Sequence, residues 1–213
     1  MSQIVTRTPA AHDVPFDQTR VFRFLKSRRD STLASELSKR IPDLYHQSLK
    51  QFNPRYRYRL IGIEQVSAGD SHTVTLSDET EFIGFGIYRL LSKSQKAAVY
   101  ILSVGDEIED EIHTRMVRDP YEGFCLEAIA SALAYGLFQE VRSDIDREAG
   151  DSGTKVLYRY CPGYAYWAIE EQEKIFRLLR PGDIGIELTE TYFITPVHSM
   201  SGVFGIAEPD PES

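Results

Sequence analysis

The first quarter of the chain has hydrophobic residues at helical spacing and predicts two helices. The shorter one covers Val21–Lys26, and Asp30 or Ser31 is placed to cap the second one. We expect Pro42 to kink or split the second helix, because proline lacks a backbone N–H and its ring crowds the preceding turn. The helical spacing is carried by apolar residues at Leu33, Leu37, Ile41, Leu44 and Tyr45.

Beyond residue 54 the period changes to two, which is typical of strands. In the first such segment, three arginines alternate with three apolar or aromatic residues, so we expect a half-buried strand with a solvated arginine face: Arg55, Tyr56, Arg57, Tyr58, Arg59 and Leu60. Short strands are predicted over Thr73–Leu76 and Phe82–Phe85, and a helix over Ile87–Leu91. The apolar, partly β-branched run Ala97–Val104 predicts a buried central strand.

The longest helical pattern begins at Pro120 and predicts the central helix of the core, over Tyr121–Asp146. Its apolar stripe is formed by Leu126, Ile129, Ala130, Leu133, Leu137 and Val141, and small residues on its other faces permit close packing: Ala128, Ala132, Ala134 and Gly136. Before it, the acidic segment Asp106–Ile112 predicts a helix whose acids complement the positive end of the helix dipole. These acids lack the set of histidines or the oxygen-ligand loop that a metal site would need, and the adjacent His113 has no ligand partner at metal spacing, so they do not indicate a metal site.

The C-terminal part predicts a strand over Val156–Tyr160, a helix over Ile169–Leu179, and two final strands on either side of Pro196. We expect these last strands, Ile184–Thr195 and His198–Ile206, to pair with each other. The pairing would bring Glu190 and Ser199 to the same end. The predicted fold class is therefore α+β, with a mixed or antiparallel sheet, packed helices and a helical N-terminal region.

One structural domain is expected, with a helical region at 1–53, an α+β body at 54–206 and an acidic, proline-rich tail at 207–213. Residues 1–15 and the tail are expected to be frayed. With 42% hydrophobic and 26% charged residues, the composition is typical of a soluble globular protein. No run of about 20 apolar residues indicates a membrane span, and the N-terminus has no signal-peptide pattern.

Charge and cysteine content limit the possible functions. A net charge of −8 argues against nucleic acid as a partner, because phosphate binding needs a basic surface. The two cysteines, Cys125 and Cys161, do not form a CxxC motif and are too few for a metal cluster. A reducing, cytoplasmic setting is expected.

The segment Arg159–Tyr164 combines a cation, a Pro-Gly turn and aromatic rings within six residues. A guanidinium can bind a carboxylate bidentately, and Gly163 would let the backbone approach a ligand. The ring of Tyr164 could cover a flat or cationic group. The competing interpretation is that Arg159 pairs with a carboxylate of its own chain.

Downstream of this segment the motifs continue in a fixed order. Ile184–Thr191 follows a predicted helix, and Pro196 and Ser199–Gly202 come next. In order and spacing, residues 159–206 resemble the S-adenosylmethionine-binding activation domain of cobalamin-dependent methionine synthase, in a stand-alone form. The matching positions are Arg159, Gly163, Tyr164, Gly185, Leu188, Thr189, Glu190, Pro196, Ser199, Ser201 and Gly202.

The resemblance implies a role in reactivating a corrinoid enzyme. S-adenosylmethionine would be the ligand, held by Arg159 through its carboxylate, with main-chain contacts near Cys161 and further contacts from Gly163 and Tyr164. Two more ligand contacts are expected from residues of the later motifs, Glu190 and Ser199. No catalytic residue and no metal ligand is expected on this chain.

The same resemblance implies partners. Cobalamin would be carried by a corrinoid-binding methyltransferase or methionine synthase subunit, and a flavodoxin-like protein would supply electrons. The protein would present the methyl donor for reductive methylation of oxidised cobalamin and is not expected to catalyse a reaction alone.

Several departures from the family pattern leave an alternative open. Ala165 stands where the family has proline, and Tyr135 and Gly153 stand where it has glutamates that contact the ligand. The alternative is a binding or assembly module for corrinoid methyltransferases that no longer binds S-adenosylmethionine. A small methyltransferase, or a protein that binds another carboxylate ligand in the same cleft, is a third possibility.

A Ser199–His198 nucleophile pair is disfavoured because adjacent strand residues point to opposite faces.

Overall fold

The computed structural model describes residues 3–25, 32–69 and 71–209 of the 213-residue chain, with side chains left out at 32–38. Its centre is an antiparallel sheet of seven strands with helices on both faces. The predicted α+β class is thereby confirmed, and the sheet is antiparallel throughout the described part. The proposed caps Asp30 and Ser31 lie outside the described residues.

The strands of the described part are β1 (Val5–Arg7), β2 (Arg55–Ser67), β3 (Thr73–Leu76), β4 (Glu81–Ile83), β5 (Lys96–Ser103), β6 (Lys155–Tyr160), β7 (Glu187–Leu188), β8 (Ile194–Thr195) and β9 (Ser199–Ala207). In the large sheet they follow the order β4-β3-β2-β5-β9-β6, and β1 also pairs with β2. The two remaining strands, β7 and β8, form a separate hairpin.

Six α-helices and three short 3-10 helices cover the sheet in the described part. The α-helices are α1 (Gln18–Phe24), α2 (Thr32–Ser48), α3 (Phe85–Leu91), α4 (Glu107–Arg118), α5 (Pro120–Asp151) and α6 (Gln172–Leu179). The 3-10 helices are Leu49–Gln51, Ile169–Glu171 and Pro181–Ile184.

The alternation of strand side chains divides the core into two layers. In β5, Ala98, Tyr100 and Leu102 face a layer formed with α1, α2, α4 and α5. The alternate residues of the same strand pack instead against α3 and α6, with Ile101 as one example. Because β5 is buried on both faces, its sequence is a continuous apolar run. The prediction that it is a central strand is confirmed.

Helix α5 is the central helix that the sequence predicts, and its whole apolar stripe is buried. By length and composition alone it could also cross a membrane, since one 18-residue window is sufficiently apolar. However, 67% of that window is buried inside the structure, as in the core helix of a globular protein. The sequence expectation that no run approaches the apolar length of a membrane span therefore has to be corrected for α5.

The N-terminal residues are more ordered than predicted. Strand β1 pairs with β2, so that Val5 lies opposite Tyr58. The carbonyl oxygen of Pro15 lies against Gly136 of α5, where a side chain would collide with it. The expectation of fraying is therefore wrong for residues 3–15, and residues 1 and 2 lie outside the described part. Of the acidic tail, residues 210–213 lie outside the described part, and the proposed domain boundaries stay a prediction.

Helix α2 continues through Pro42 and is not split there. A proline inside a helix removes one backbone hydrogen bond. Burial of the neighbouring Ile41 and Leu44 in the core stabilises the helix across that gap.

The arginine face of β2 is not solvated, which corrects the sequence interpretation. Arg57 is 7% exposed and donates to the backbone carbonyls of Leu179, at 2.9 Å, and Arg180, at 2.6 Å. It also forms a two-pronged contact with the carboxylate of Asp183, at 2.8 and 3.0 Å. Arg55 is equally buried and donates to the carbonyl of Gly185 at 2.9 Å.

The last two predicted strands do not pair with each other. Residues 184–195 contain a short hairpin instead, with Glu187 paired to Thr195 and Leu188 to Ile194. Strand β9 pairs with β5 and β6. Glu190 lies at the turn of this hairpin, and no residue of the hairpin pairs with β9 among the described strands, so the predicted pairing that would join Glu190 to Ser199 is wrong.

Candidate ligand-binding site

A groove of about 560 Å³ opens where β6, β9, α6 and the β7–β8 hairpin meet. The loop that follows β6 forms one wall, and the segment between β8 and β9 forms another. The lining residues are Arg159, Cys161, Pro162, Tyr164, Ile169, Gln172, Tyr192, Phe193, Ile194, Thr195, Val197, Ser199, Met200 and Ser201.

Arg159 stands near the end of β6 and is the cation of this groove. Its Nη1 donates to the hydroxyl of Tyr100 at 3.2 Å, and its guanidinium lies 4.3 Å from the ring centroid of Phe138. The Sδ of Met200 is 4.0 Å away. Among the described residues, no carboxylate forms an ion pair with Arg159. The structure therefore does not support the competing interpretation of an internal ion pair, and the guanidinium can accept an anion from outside.

The turn at 161–167 requires glycine at its centre. Gly163 has a φ of 86°, a backbone region that residues with a Cβ rarely adopt, and its N–H donates to the carbonyl of Trp167 at 3.0 Å. A Cβ there would also lie 2.9 Å from Cδ1 of Ile169. The turn holds the Tyr164 side chain at the groove, where 54% of it remains exposed.

Cys161 lines the groove as a partly buried thiol. Burial raises the pKa of this thiol, and the nearby Arg159 guanidinium and a hydrogen bond with Tyr100 oppose that shift only in part. A reactive cysteine needs a lowered pKa. Its side chain also approaches Gly202 of β9, where an added Cβ would lie 2.9 Å from Sγ. The role of Cys161 is thus consistent with packing and main-chain contact.

Two serines of β9 place hydroxyls at the groove. The Oγ of Ser201 accepts a hydrogen bond from Nε2 of Gln172 at 2.6 Å. The Oγ of Ser199 is buried and has no hydrogen-bond partner among the described residues. A buried hydroxyl without a partner is costly, so the Ser199 hydroxyl is a natural contact for a polar ligand group.

Four of the six predicted site residues line the groove, namely Arg159, Cys161, Tyr164 and Ser199, and Gly163 shapes the turn beside them. Glu190 is exposed at the turn of the β7–β8 hairpin and does not line the groove. The ligand contacts assigned to all six remain predictions.

Sequence reasoning missed several residues of the site. Gln172, Phe193 and Met200 line the groove, and Phe138 lies against the Arg159 guanidinium. Met200 stands between Ser199 and Ser201 of the family motif, so its position within that motif could have identified it as a groove residue. Phe138 belongs to the middle of α5, and nothing in the sequence links it to a residue of β6.

Within the described residues, the groove offers binding groups and no hydrogen-bonded Ser–His pair. The Oγ of Ser199 and the Nδ1 of the neighbouring His198 have no hydrogen-bond partner there, and Nε2 of His198 lies 3.1 Å from Oε1 of Glu127 on α5. Within the described part of the chain, no group of three or more metal-ligating side chains comes together. A cation, two hydroxyls and exposed aromatic rings are suited to holding a flat ligand with an anionic group.

Comparison with known families agrees with this arrangement. The model of the vitamin B12-dependent methionine synthase activation domain matches residues 91–212, more than half of the chain. The chain therefore belongs to the family of vitamin B12-dependent methionine synthase activation domains, as the resemblance implied.

A solved structure extends the likeness of fold to the N-terminal region. The MetH reactivation domain, crystallised with AdoHcy, matches 99% of this chain with a TM-score of 0.77 and 16% sequence identity, and 80% of that domain is covered. At this identity the likeness shows the fold alone. No curated protein matches the chain in sequence.

Proposed function

We propose that the protein binds S-adenosylmethionine in the groove and presents it to the oxidised cobalamin of a corrinoid-binding methyltransferase or methionine synthase subunit. The observation that carries this proposal is the Arg159 guanidinium, which lines the groove without a carboxylate partner in the described part. Membership of the activation-domain family supports the choice of ligand class.

The residues present fit the carboxylate, the adenine and a further polar group of such a ligand. Arg159 can hold the carboxylate bidentately, and the exposed ring of Tyr164 can lie against the adenine. The partnerless Ser199 hydroxyl offers a hydrogen bond. The groove volume of about 560 Å³ lies within the range of small-molecule sites, roughly 300–1,000 Å³.

The chemistry would take place on the partner's corrinoid. A flavodoxin-like protein would supply one electron, the partner's corrinoid would supply the cobalt that accepts a methyl group, and S-adenosylmethionine would supply that group and be left as S-adenosylhomocysteine. This chain's residues bind S-adenosylmethionine and orient its sulfonium towards the partner. The protein acts in the cytoplasm and does not turn over substrate without that partner.

Three apolar residues beside the groove are exposed enough to meet a partner. Tyr164, Phe193 and Val197 are 54%, 67% and 70% exposed, and all three line the groove. Large apolar side chains of this exposure are typical of contact surfaces when they cluster. A corrinoid domain that docks there would cover the bound methyl donor.

Calorimetric titration with S-adenosylmethionine tests the proposal. We expect saturable binding that Arg159→Gln weakens about 10- to 100-fold, because a charge-assisted hydrogen bond contributes about 1.5–3 kcal/mol. Arg177→Gln is the matched control, since Arg177 is exposed on α6 and does not line the groove. Equal affinity in wild type and Arg159→Gln would contradict the assigned role.

The second candidate is a binding or assembly module for corrinoid methyltransferases that has lost the ligand. The observation that favours it is the groove lining itself, which contains no aspartate or glutamate to pair with the ligand's ammonium within the described residues. No binding heat at millimolar S-adenosylmethionine, together with retained capture of a corrinoid methyltransferase, would select this candidate.

A further inference from the structure

A small pocket of about 220 Å³ lies between α3 and the edge strand β6, apart from the groove. Three of its aromatic rings are exposed although they are large and apolar, namely Phe85, Tyr158 and Tyr166, at 42%, 54% and 75%. Exposed rings that cluster in this way are typical of contact surfaces. The remaining lining residues are Gly86, Arg89 and Tyr160, and none of the six residues lines the groove.

The walls of this pocket are fixed by direct contacts. The ring of Phe85 lies edge-on to that of Tyr166, with the two centroids 6.0 Å apart. The backbone N–H of Gly86 donates to the carbonyl of Tyr166 at 3.1 Å, and the hydroxyl of Tyr160 donates to the carbonyl of Ala165. The start of α3, the end of β6 and the loop after β6 are thereby tied to one another, so the rings are already in place for a contact.

A line of cations leads away from this pocket along α3. Arg89 is exposed, and its guanidinium carbon lies 5.9 Å from the ring centroid of Phe85. Lys93 comes four positions after Arg89, just beyond the end of α3, and Lys96 begins β5. None of these three cations forms an ion pair within the described part of the chain, although the protein has 32 acidic and 24 basic residues. Cations that stand together without acids favour an acidic segment as the partner.

An acidic segment of this chain leaves the sheet beside these lysines. Ile206 of β9 lies opposite Lys96, and Ala207, at the end of β9, lies opposite Lys155 of β6. The next two residues are exposed. Beyond them come residues 210–213, which read Asp-Pro-Glu-Ser and lie outside the described part. Two acids and a proline therefore follow directly after the basic end of the sheet.

Helix α3 runs antiparallel to β6, which sets the order in which a segment would meet this surface. A Cβ at Gly205 of β9 would lie 3.3 Å from side-chain atoms of both Leu90 and Leu157, so the end of α3 lies near the end of β9. A Cβ at Gly86 would collide with the ring of Tyr160, so the start of α3 lies near the end of β6. A segment that comes from β9 would meet the cations first and the aromatic rings afterwards.

Residues 210–213 are long enough to reach the rings. Tyr158 stands three residues along β6 from Lys155, the partner of Ala207, which corresponds to about 10 Å. Four extended residues span up to roughly 13 Å. Their composition also fits, because prolines in extended segments dock on aromatic-lined surfaces and carboxylates pair with exposed cations.

We propose that residues 210–213 dock in the pocket between α3 and β6. The two acids of the segment pair with Lys93 and Arg89, and the ring of Pro211 lies against Tyr158. The docked segment covers the outer edge of β6, where an uncovered edge strand would invite pairing with another chain. Docking replaces the fraying that composition predicts for this segment, and it does not rest on the function proposed above.

The test is nuclear magnetic resonance of the full chain with labelled proline and tyrosine. We expect nuclear Overhauser effects between the ring protons of Pro211 and those of Tyr158, and Tyr158→Phe identifies the tyrosine signal by removing it. Arg89→Gln should weaken these effects at least twofold, and 1 M salt should weaken them too, because it shortens the Debye length to about 3 Å. Since Arg89 is exposed and lies outside the groove, this variant should keep the thermal midpoint and the affinity for S-adenosylmethionine of wild type.

Arg177→Gln is the matched control, because it makes the same charge change on α6 outside the pocket and should leave the effects unchanged. Absence of any effect between Pro211 and the rings of the pocket, or equal intensity in wild type and Arg89→Gln, would overturn the proposal. A normalised intensity that rises with protein concentration would also overturn it, since the segment would then dock on a second copy. Because S-adenosylmethionine is titrated separately, either proposal can fail while the other stands.

Discussion

The Nη1 of Arg159 donates to the hydroxyl of Tyr100 over 3.2 Å, although the two residues lie on strands separated by β9. Tyr100 is fully buried, and burial raises the pKa of its phenol, so the hydroxyl stays protonated and neutral. The guanidinium is thus oriented by a neutral oxygen and by the Phe138 ring rather than by a carboxylate. Its charge remains available to a ligand.

This relationship predicts that Tyr100→Phe weakens ligand binding without unfolding the protein. Loss of one hydrogen bond that orients Arg159 should lower the affinity for S-adenosylmethionine about three- to tenfold, as measured by calorimetry. The thermal midpoint should change little, because the ring stays in place. Tyr58→Phe removes a phenol bond to Glu148 on α5 and should leave the affinity unchanged. Equal loss in both variants would show that Tyr100 acts through stability alone.

Gly136 should be one of the least replaceable residues of α5. An added Cβ would collide with the carbonyl oxygen of Pro15, which is a backbone atom and cannot rotate away. We expect Gly136→Ala to lower the free energy of unfolding by about 1–3 kcal/mol in urea titrations.

The matched control for this change is Gly150→Ala on the same helix. Apart from the glycine itself, its chain neighbours and the nearby backbone of its own helix, no heavy atom of the described structure lies within 4 Å of a Cβ at that position. Alanine has the better helix propensity, so this variant should be stabilised by up to about 1 kcal/mol. Loss of stability in both variants, by similar amounts, would mean that contact with Pro15 is not the cause.

Arg57 should contribute more to stability than its ion-pair partner. Replacement by methionine leaves the carbonyls of Leu179 and Arg180 without a donor in a mostly buried place, at a cost of about 2–3 kcal/mol. Asp183→Asn should cost much less, because the Asp183 side chain is 69% exposed and its charge is well solvated. Chemical unfolding of both variants measures the difference, and the reverse order would contradict the structure.

The error over the arginines shows where sequence reasoning ends. Alternation correctly predicted that β2 is a strand and that its tyrosines are buried, because both properties are local. The partners of Arg57 are backbone carbonyls more than 120 positions away, and no pattern in a single sequence encodes such a contact. The same limit applies to the cation–π contact between Arg20 of α1 and Tyr135 of α5, which joins two helices that are far apart in the chain.

The groove was predictable to the extent that its residues share one motif. Arg159, Gly163 and Tyr164 fall within six positions of each other, and Ser199 follows in a fixed order, so ordered spacing could identify them. Glu190 is expected beside them from the family motif and from a predicted pairing of the last two strands, and the structure has a two-strand hairpin in place of the first of these strands. The alternation of residue types along the sequence continues through the turn of the β7–β8 hairpin, so this pattern alone does not reveal the turn.

The contact between Glu127 and His198 should make stability depend on pH in the acidic range. The hydrogen bond from His198 lowers the pKa of the Glu127 carboxyl below its usual range, and partial burial opposes this. A carboxyl whose pKa is lower in the folded state stabilises the fold above its unfolded pKa, and this stabilisation is lost as the pH falls through the folded value.

We therefore expect the free energy of unfolding of wild type to exceed that of Glu127→Gln at about pH 5, and the difference to shrink towards about pH 3. Urea titrations across this range measure it. Glu173→Gln is the control, because Glu173 is exposed on α6, and its difference from wild type should stay near zero. A gap for Glu127→Gln that widened on acidification would show that the carboxylate is not stabilised by the imidazole. His198 ties this wall of the groove to Glu127 of α5, and the neighbouring Val197 ties it to α4 by donating its backbone N–H to the carboxylate of Glu109.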